Sequence, residues 1–296
     1  MVKKRKRAFL AALLCLSFGV GSLFGMGVSA TDEVVKEVVS VAEVAPTSRI
    51  SHLVTLTHAS GTTLTPKGAY IDGKLFVPLG DFAKSFTNAT YTYDARTKYA
   101  TLKANGLYLT AGVGGTFLTA NDRCLYGVAA NRVIDGQVWV PIAPLAKAMS
   151  LSVSYANGTT TARVSGTYRA LAHASVFYNE SELYWLSRII TAESKGEPLR
   201  GQIAVGNVIL NRVRSKSFPN TIYGVIFQKN QFSPVLNGTI YNSPAWTSVC
   251  AAKLCLEGYS ISNDVLFFCN LSITSSNWIT KNRQVAFKLG NHTFFY

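Results

Sequence analysis

One pattern occurs twice in this chain, 63 residues apart, and it limits the possible folds more than any other feature. Asp72-Gly73-Lys74-Leu75-Phe76-Val77-Pro78-Leu79 leads into a short amphipathic run through Phe82, Ala83 and Lys84. Asp135-Gly136-Gln137-Val138-Trp139-Val140-Pro141-Ile142 leads into Leu145, Ala146 and Lys147. A tyrosine-bearing run follows each, at Tyr91-Thr92-Tyr93 and at Val153-Ser154-Tyr155. Alternating apolar residues between turn residues are strand signals. Each copy therefore reads as turn, strand, short helix and hairpin. Two copies predict a pseudo-symmetric β-rich domain over residues 50–165.

This pattern resembles the copper-amine-oxidase N-terminal-like domain found in exported proteins of clostridia and bacilli. The name implies no copper here. His52 and His58 are the only histidines of the segment, and they lack a third ligand at a recognisable spacing. They are expected to be solvated or structural, and no metal site is expected. The alternating tyrosines fit cross-strand packing better than sugar stacking. The domain is expected to serve as a wall-associating or spacer module.

Past residue 165 the pattern changes. Residues 166–178 read as a connection, and from Asn179 the periodicity becomes helical. Asn179 with Glu182 three residues on marks a helix start. In Leu183 to Pro198, Leu186, Ile189 and Ile190 recur at three- and four-residue steps and share a core-facing stripe. Glu193 falls on that same stripe. Pro198 predicts that the helix ends near Ser194 to Gly196, so Glu193 lies in its last turn. Burial and the negative end of the helix dipole both resist ionisation there, and a carboxylic acid that keeps its proton is what a general acid needs. A structural glutamate bonded to a neighbouring backbone group or arginine is the competing reading. A second helix is expected from Pro198 to about Arg214, and a third capped by Ser243 and closing at Gly258. A buried strand is expected over Val265 to Asn270, with Trp278 in a loop. The whole is an α+β chain: a β-rich two-repeat domain followed by a mostly α-helical one over residues 179–296.

The amino terminus reads as a secretory signal peptide over residues 1–30. Lys3, Lys4, Arg5, Lys6 and Arg7 precede an apolar run, and Val28-Ser29-Ala30 supplies small residues for cleavage. An uncleaved anchor is the alternative. Residues 31–49, ending in Ala45-Pro46-Thr47-Ser48, read as a linker. The net charge of +14 falls to +9 once the five basic leader residues are removed. In an exported protein that balance favours an anionic cell-wall polymer over nucleic acid as a partner. Cys124, Cys250, Cys255 and Cys269 show no CxxC spacing, so neither a disulfide scaffold nor a zinc finger is indicated. Cys250 and Cys255 share one predicted helix and are not expected to bridge.

Counting residues narrows the chemistry. From Asn179 onward there are six carboxylates: Glu180, Glu182, Glu193, Glu197, Glu257 and Asp264. Glu180 and Glu182 suit a helix start, Glu257 a helix end and Asp264 a turn. Glu197, at the helix junction, is expected to cap the second helix or to act as a weak partner of Glu193. Glu193 and Glu197 could reach only the near end of the roughly 5 to 9.5 Å that a two-carboxylate glycosidase needs, and the proline break stands between them. His173 and His292 are too few for a zinc site, and there is no HExxH. Cys269 with His292 is the only plausible cysteine–histidine couple, in an apolar strand-like context. No GxSxG and no phosphate-binding glycine loop is present.

The segments AESKGEP, GQIAVGNVILNRV, FPNTIYGVIFQ, QFSPVLNGTIYNSP, FFCN and GNHTF occur in this order between Glu182 and Tyr296. They resemble the spore-cortex-lytic cell-wall hydrolase family of endospore formers. The resemblance implies a compact lysozyme-like helical domain acting on peptidoglycan glycan strands. It implies cleavage between N-acetylmuramic acid and N-acetylglucosamine by one glutamate, leaving an anhydromuramic end, without cofactor or metal. The family's catalytic glutamate matches Glu193. Glu197, Phe232, Ser233, Asn270 and Trp278 are the expected substrate-binding residues, and His292 also matches a position near the end. Cys269-Asn270-Leu271 departs from the family's usual aromatic followed by Asn-Pro. An N-acetylmuramoyl-L-alanine amidase and a degenerate wall-binding protein remain the alternatives. A secreted monomer associated with wall or cortex is expected.

Overall fold

Both Asp-Gly pairs form tight turns with positive φ at each central residue, 49° and 71° at Asp72-Gly73 and 49° and 73° at Asp135-Gly136. That geometry suits a two-residue hairpin, because it matches the twist of the flanking strands. The computed structural model describes residues 50–58, 63–155, 159–273 and 278–296. The leader expected over residues 1–30 and the linker over 31–49 lie outside the described residues. The chain divides after Tyr178 into a β-rich unit and a helical one.

The β-rich unit contains β1 (Ile50–His58), β2 (Thr63–Ile71), β3 (Lys74–Pro78), α1 (Leu79–Ala83), β4 (Thr90–Asp94), β5 (Tyr99–Ala104), β6 (Leu107–Gly112), β7 (Phe117–Ala120), β8 (Arg123–Tyr126), β9 (Arg132–Ile134), β10 (Gln137–Pro141), α2 (Ile142–Ala148), β11 (Ser152–Ser154), β12 (Thr161–Ser165) and α3 (Ala174–Phe177). The strands form a seven-stranded sheet in the order β11-β12-β1-β2-β3-β10-β9 and a five-stranded meander from β4 to β8. The repeat is visible in the register. β3 and β10 lie antiparallel, with Val77 opposite Val140, Phe76 opposite Pro141 and Pro78 opposite Trp139. Val77 and Val140 are equivalent in the two copies, so a local two-fold passes between them. The shared core includes Val77, Leu79, Leu102, Leu109, Val138, Val140 and Leu145. His52 and His58 lie on β1, and their side chains are outside the described set.

Residues 166–178, expected as a connection, are strapped onto this unit. Tyr168 donates its hydroxyl to the carbonyls of Ala104 and Asn105. Asn121 bonds Leu171 through its side chain and Ala174 through its backbone carbonyl. The sequence shows no periodicity here because the strap is held by scattered tertiary hydrogen bonds.

The helical unit contains α4 (Glu180–Ser194), α5 (Leu199–Arg214), α6 (Ile222–Ile226), α7 (Ser233–Leu236), a 3-10 turn (Thr239–Tyr241), α8 (Trp246–Leu256), β13 (Phe267–Cys269), α9 (Trp278–Asn282), β14 (Val285–Leu289) and β15 (His292–Phe295). Asn179 caps α4 by accepting from the Glu182 N–H. α5 is the central helix, and every residue from Gly201 to Ile209 is buried. Gly206 allows the close crossing. A Cβ there would stand 2.7 Å from Cys255 Sγ and 2.9 Å from Ile190 Cδ1.

Three local expectations are corrected. α8 starts at Trp246 rather than from a Ser243 cap. The Ala245 N–H donates instead to Thr191 Oγ1 on α4, so a tertiary bond fixes the start. The strand expected over residues 265–270 shortens to β13, because Asn211 and Arg212 of α5 occupy the Val265 and Leu266 carbonyls. Trp278 opens α9 instead of lying in a loop. Cys124, Cys250, Cys255 and Cys269 are buried, and none forms a disulfide. Among the described residues, no helix is long and apolar enough to cross a membrane.

Candidate active site

α4 reaches its end with Leu186, Ile189 and Ile190 fully buried and Glu193 one turn beyond them. Ser194 and Thr191 satisfy their hydroxyls on the carbonyls of Ile190 and Ser187, so no polar partner on the helix reaches for Glu193. Among the described residues, the Glu193 carboxyl makes no hydrogen bond or ion pair. Desolvation pushes its carboxyl up from 4.5 to about 7, against an opposing pull from the Arg212 guanidinium. The residue remains partly accessible to solvent. A carboxyl that is dehydrated, unpaired and still reachable can hold a proton near neutrality and hand it to a bound group.

Arg212, on α5, is the charge that balances this acid. It is buried, and burial lowers its pKa to about 10 while Glu193 pulls it back up. Its Nε donates to the Leu266 carbonyl at 2.7 Å and its Nη1 to Gln231 Oε1 at 3.1 Å. Phe218, Phe232 and Phe267 surround the guanidinium, with ring centres 4.9, 5.4 and 5.4 Å from its carbon. The cation is therefore fixed by other groups and acts on Glu193 through space.

Arg212 belongs to a row of buried polar side chains on α5. Asn207 holds the Tyr259 carbonyl and the Ile261 N–H. Asn211 holds the carbonyls of Ser262 and Val265. Together they clamp the irregular segment 259–266 along the helix, which needs such partners because a buried backbone leaves no water to bond. Sequence reasoning missed this row. The available signal was Asn207, Asn211 and Arg212 at i, i+4 and i+5 inside the run from Ile203 to Val213, whose other residues are apolar or glycine.

The other expected site residues separate into groups. Phe232 is buried against Arg212, and Ser233 begins α7 directly after it. Asn270 turns its side chain to the Ser272 N–H and closes the turn after β13. Trp278 is 55% exposed, with the Arg283 guanidinium 5.5 Å from its ring centre. Glu197 does not cap α5, whose first position is preceded by Pro198. Its carboxylate accepts instead from the backbone N–H and the Nδ2 of Asn291, each at 2.9 Å. His292, next in sequence, is buried against Phe268, and among the described residues its Nδ1 has no partner. Burial lowers its pKa, while Glu197 pulls it up. Among the described residues, no group of three His, Cys, Asp or Glu is placed to hold a metal ion.

A β-rich two-repeat unit followed by a helical unit built around one dehydrated carboxyl defines a two-module α+β protein. The comparisons assign the modules. Residues 196–295 match the Cell Wall Hydrolase family, and residues 60–164 match the Copper amine oxidase N-terminal domain. The chain thus carries a cell wall hydrolase domain with a copper amine oxidase N-terminal domain before it. Glu193 lies three residues ahead of the matched hydrolase span. The spore cortex-lytic enzyme of Bacillus cereus is 38% identical over 117 residues, covering 40% of this chain and 45% of that protein. Its Bacillus subtilis counterpart is 34% identical, covering 40% and 38%. The chain therefore spans less than half the length of these curated relatives. The catalytic domain of the germination-specific lytic transglycosylase SleB from Bacillus anthracis is 38% identical, covering 40% of this chain and 97% of that one, with a TM-score of 0.38.

Proposed function

We propose that this protein is an exported peptidoglycan-cleaving enzyme, a lytic transglycosylase that cuts the glycan strand between N-acetylmuramic acid and N-acetylglucosamine with Glu193 as its single acid and base. The observation that carries the reading is the Glu193 carboxyl, raised to about 7 by burial and without a hydrogen-bond partner among the described residues. Kinship to spore cortex-lytic enzymes supports the substrate class. The basic leader, and the net charge of +9 that remains once its five basic residues are removed, support export to an anionic wall.

The chemistry follows from one carboxyl. Protonated Glu193 gives its proton to the glycosidic oxygen as the bond to the anomeric carbon breaks. The C6 hydroxyl of the same sugar attacks that carbon, and its proton passes to the Glu193 carboxylate. The acid is regenerated, an anhydro ring is closed and no water is consumed. An internal nucleophile is held at high effective concentration, so a second carboxylate is not required. Arg212, held at a distance by Leu266 and Gln231, steadies the carboxylate between the two transfers without neutralising it as an ion pair would.

Product analysis on purified peptidoglycan tests this. Anhydromuropeptides from the parent protein and none from Glu193→Gln are the expected result. New reducing ends would make it a simple hydrolase, and released stem peptides an amidase. Wall binding without any product would make it a binding protein.

A further inference from the structure

Five aromatic rings gather on the helical unit around Trp185, two turns before Glu193 on α4. Its ring centre lies 4.8 Å from Tyr184, 5.5 Å from Tyr223, 5.0 Å from Phe227 and 6.1 Å from Tyr241. Tyr223 and Phe227 stack face to face at 4.3 Å. In a core these rings would be covered. Here Tyr184 is 41% exposed, Tyr223 52% and Tyr241 60%. Among the described residues, their hydroxyls have no protein partner. The Arg188 guanidinium lies 3.6 Å over the Tyr184 ring, and among the described residues its buried Nε has no hydrogen-bond partner.

A cluster of this kind is an unusual thing to leave in water. Contiguous exposed aromatic surface marks a binding site more often than chance packing does. Rigid rings with free polar tips suit a ligand that is apolar on one face and rich in hydroxyls at its edge. Sugar rings have that character. The cation at Arg188 suits the lactyl carboxylate of muramic acid residues that carry no stem peptide.

We propose that Tyr184, Trp185, Arg188, Tyr223 and Tyr241 form a distal subsite for the amino-sugar glycan strand, engaging sugars beyond those at the bond being cut. The inference rests on the reading of Glu193 as the acid acting on that strand. Continuity supports the choice of occupant, because one helix carries both features. Eight residues of α-helix place Trp185 and Glu193 about 12 Å apart along the axis. A strand seated on the rings has about a disaccharide to run before it reaches the acid.

The test uses the full chain in a Glu193→Gln background, so that the ligand stays intact, with stem-peptide-free glycan strands several disaccharides long as the probe. Calorimetric titration is expected to show Tyr223→Ala/Tyr241→Ala binding about tenfold or more weakly than its parent. Tyr223→Phe/Tyr241→Phe, which keeps the rings, is expected to retain most of the affinity. Thermal melting confirms that each variant is folded. Affinity within twofold of the parent in the folded alanine variant overturns the subsite. Strand cutting by the protein with Glu193 intact is scored separately. If it is absent the active-site reading fails, while the binding comparison still decides the subsite.

Discussion

The Glu197 carboxylate takes two hydrogen bonds from one residue, the backbone N–H and the side-chain amide of Asn291, across 94 positions of sequence. This clasp fastens the turn between β14 and β15 to the junction of α4 and α5. Gly290 completes it, with φ at +57° and a position where any Cβ would run into the Glu197 carboxylate. The acid nearest to Glu193 in sequence is thereby committed to holding the fold. That relationship explains how a domain with so few carboxylates can leave one of them unpaired.

Glu197→Ala is expected to lower the thermal midpoint by removing both bonds of the clasp. Bonds to a charged group contribute about 1.5–3 kcal/mol each when buried, and Asn291 is exposed, so a total of about 1–2 kcal/mol is expected. Thermal unfolding monitored by circular dichroism measures it. Product released at a temperature where the variant is folded should keep the parent's chemical identity.

Glu193→Gln is expected to reduce strand cutting by at least about 100-fold, the lower range for removing a general acid. The same variant should be more stable than its parent at high pH. A carboxyl raised from 4.5 to about 7 in the folded protein holds a proton that the unfolded chain has already lost. Stability therefore falls as pH rises through that window. Glutamine removes the penalty, for a gain of at most about 3 kcal/mol at about pH 8 and almost none at about pH 4. Denaturant titrations at the two pH values measure the difference.

The rate of cutting is expected to fall on the alkaline side of about pH 7, where Glu193 gives up its proton. Arg212 favours the charged form of Glu193, so Arg212→Gln should move that limb to higher pH, whereas Arg212→Lys should move it less. A pH–rate profile for each variant distinguishes this electrostatic role from mere loss of packing, which would lower the rate without moving the limb.

Gly206→Ala is expected to destabilise the helical unit by about 1–3 kcal/mol, the usual cost of forcing a methyl into a filled core. The added carbon would meet Cys255 Sγ and Ile190 Cδ1 inside contact distance, and both belong to helices packed against α5. A lowered midpoint in chemical denaturation is the expected readout.

By itself, the sequence determined everything that depends on neighbours along the chain. The two Asp-Gly turns, the strand-helix-hairpin copies that follow them, the Asn179 cap, and the end of α4 ahead of Pro198 are local choices, and local chemistry makes them. The placing of Glu193 on an apolar stripe is legible for the same reason, since helical period alone puts it beside Ile189 and Ile190. Only the tertiary structure decided what each polar group meets. Arg212 could be assigned near the acid only once α4 and α5 had crossed. Glu197 found Asn291 instead of capping its own helix, and Thr191 took the place of Ser243 at the start of α8. A buried donor or acceptor must be satisfied by whatever the fold brings within reach. That partner lies tens of residues away, where no periodicity points to it.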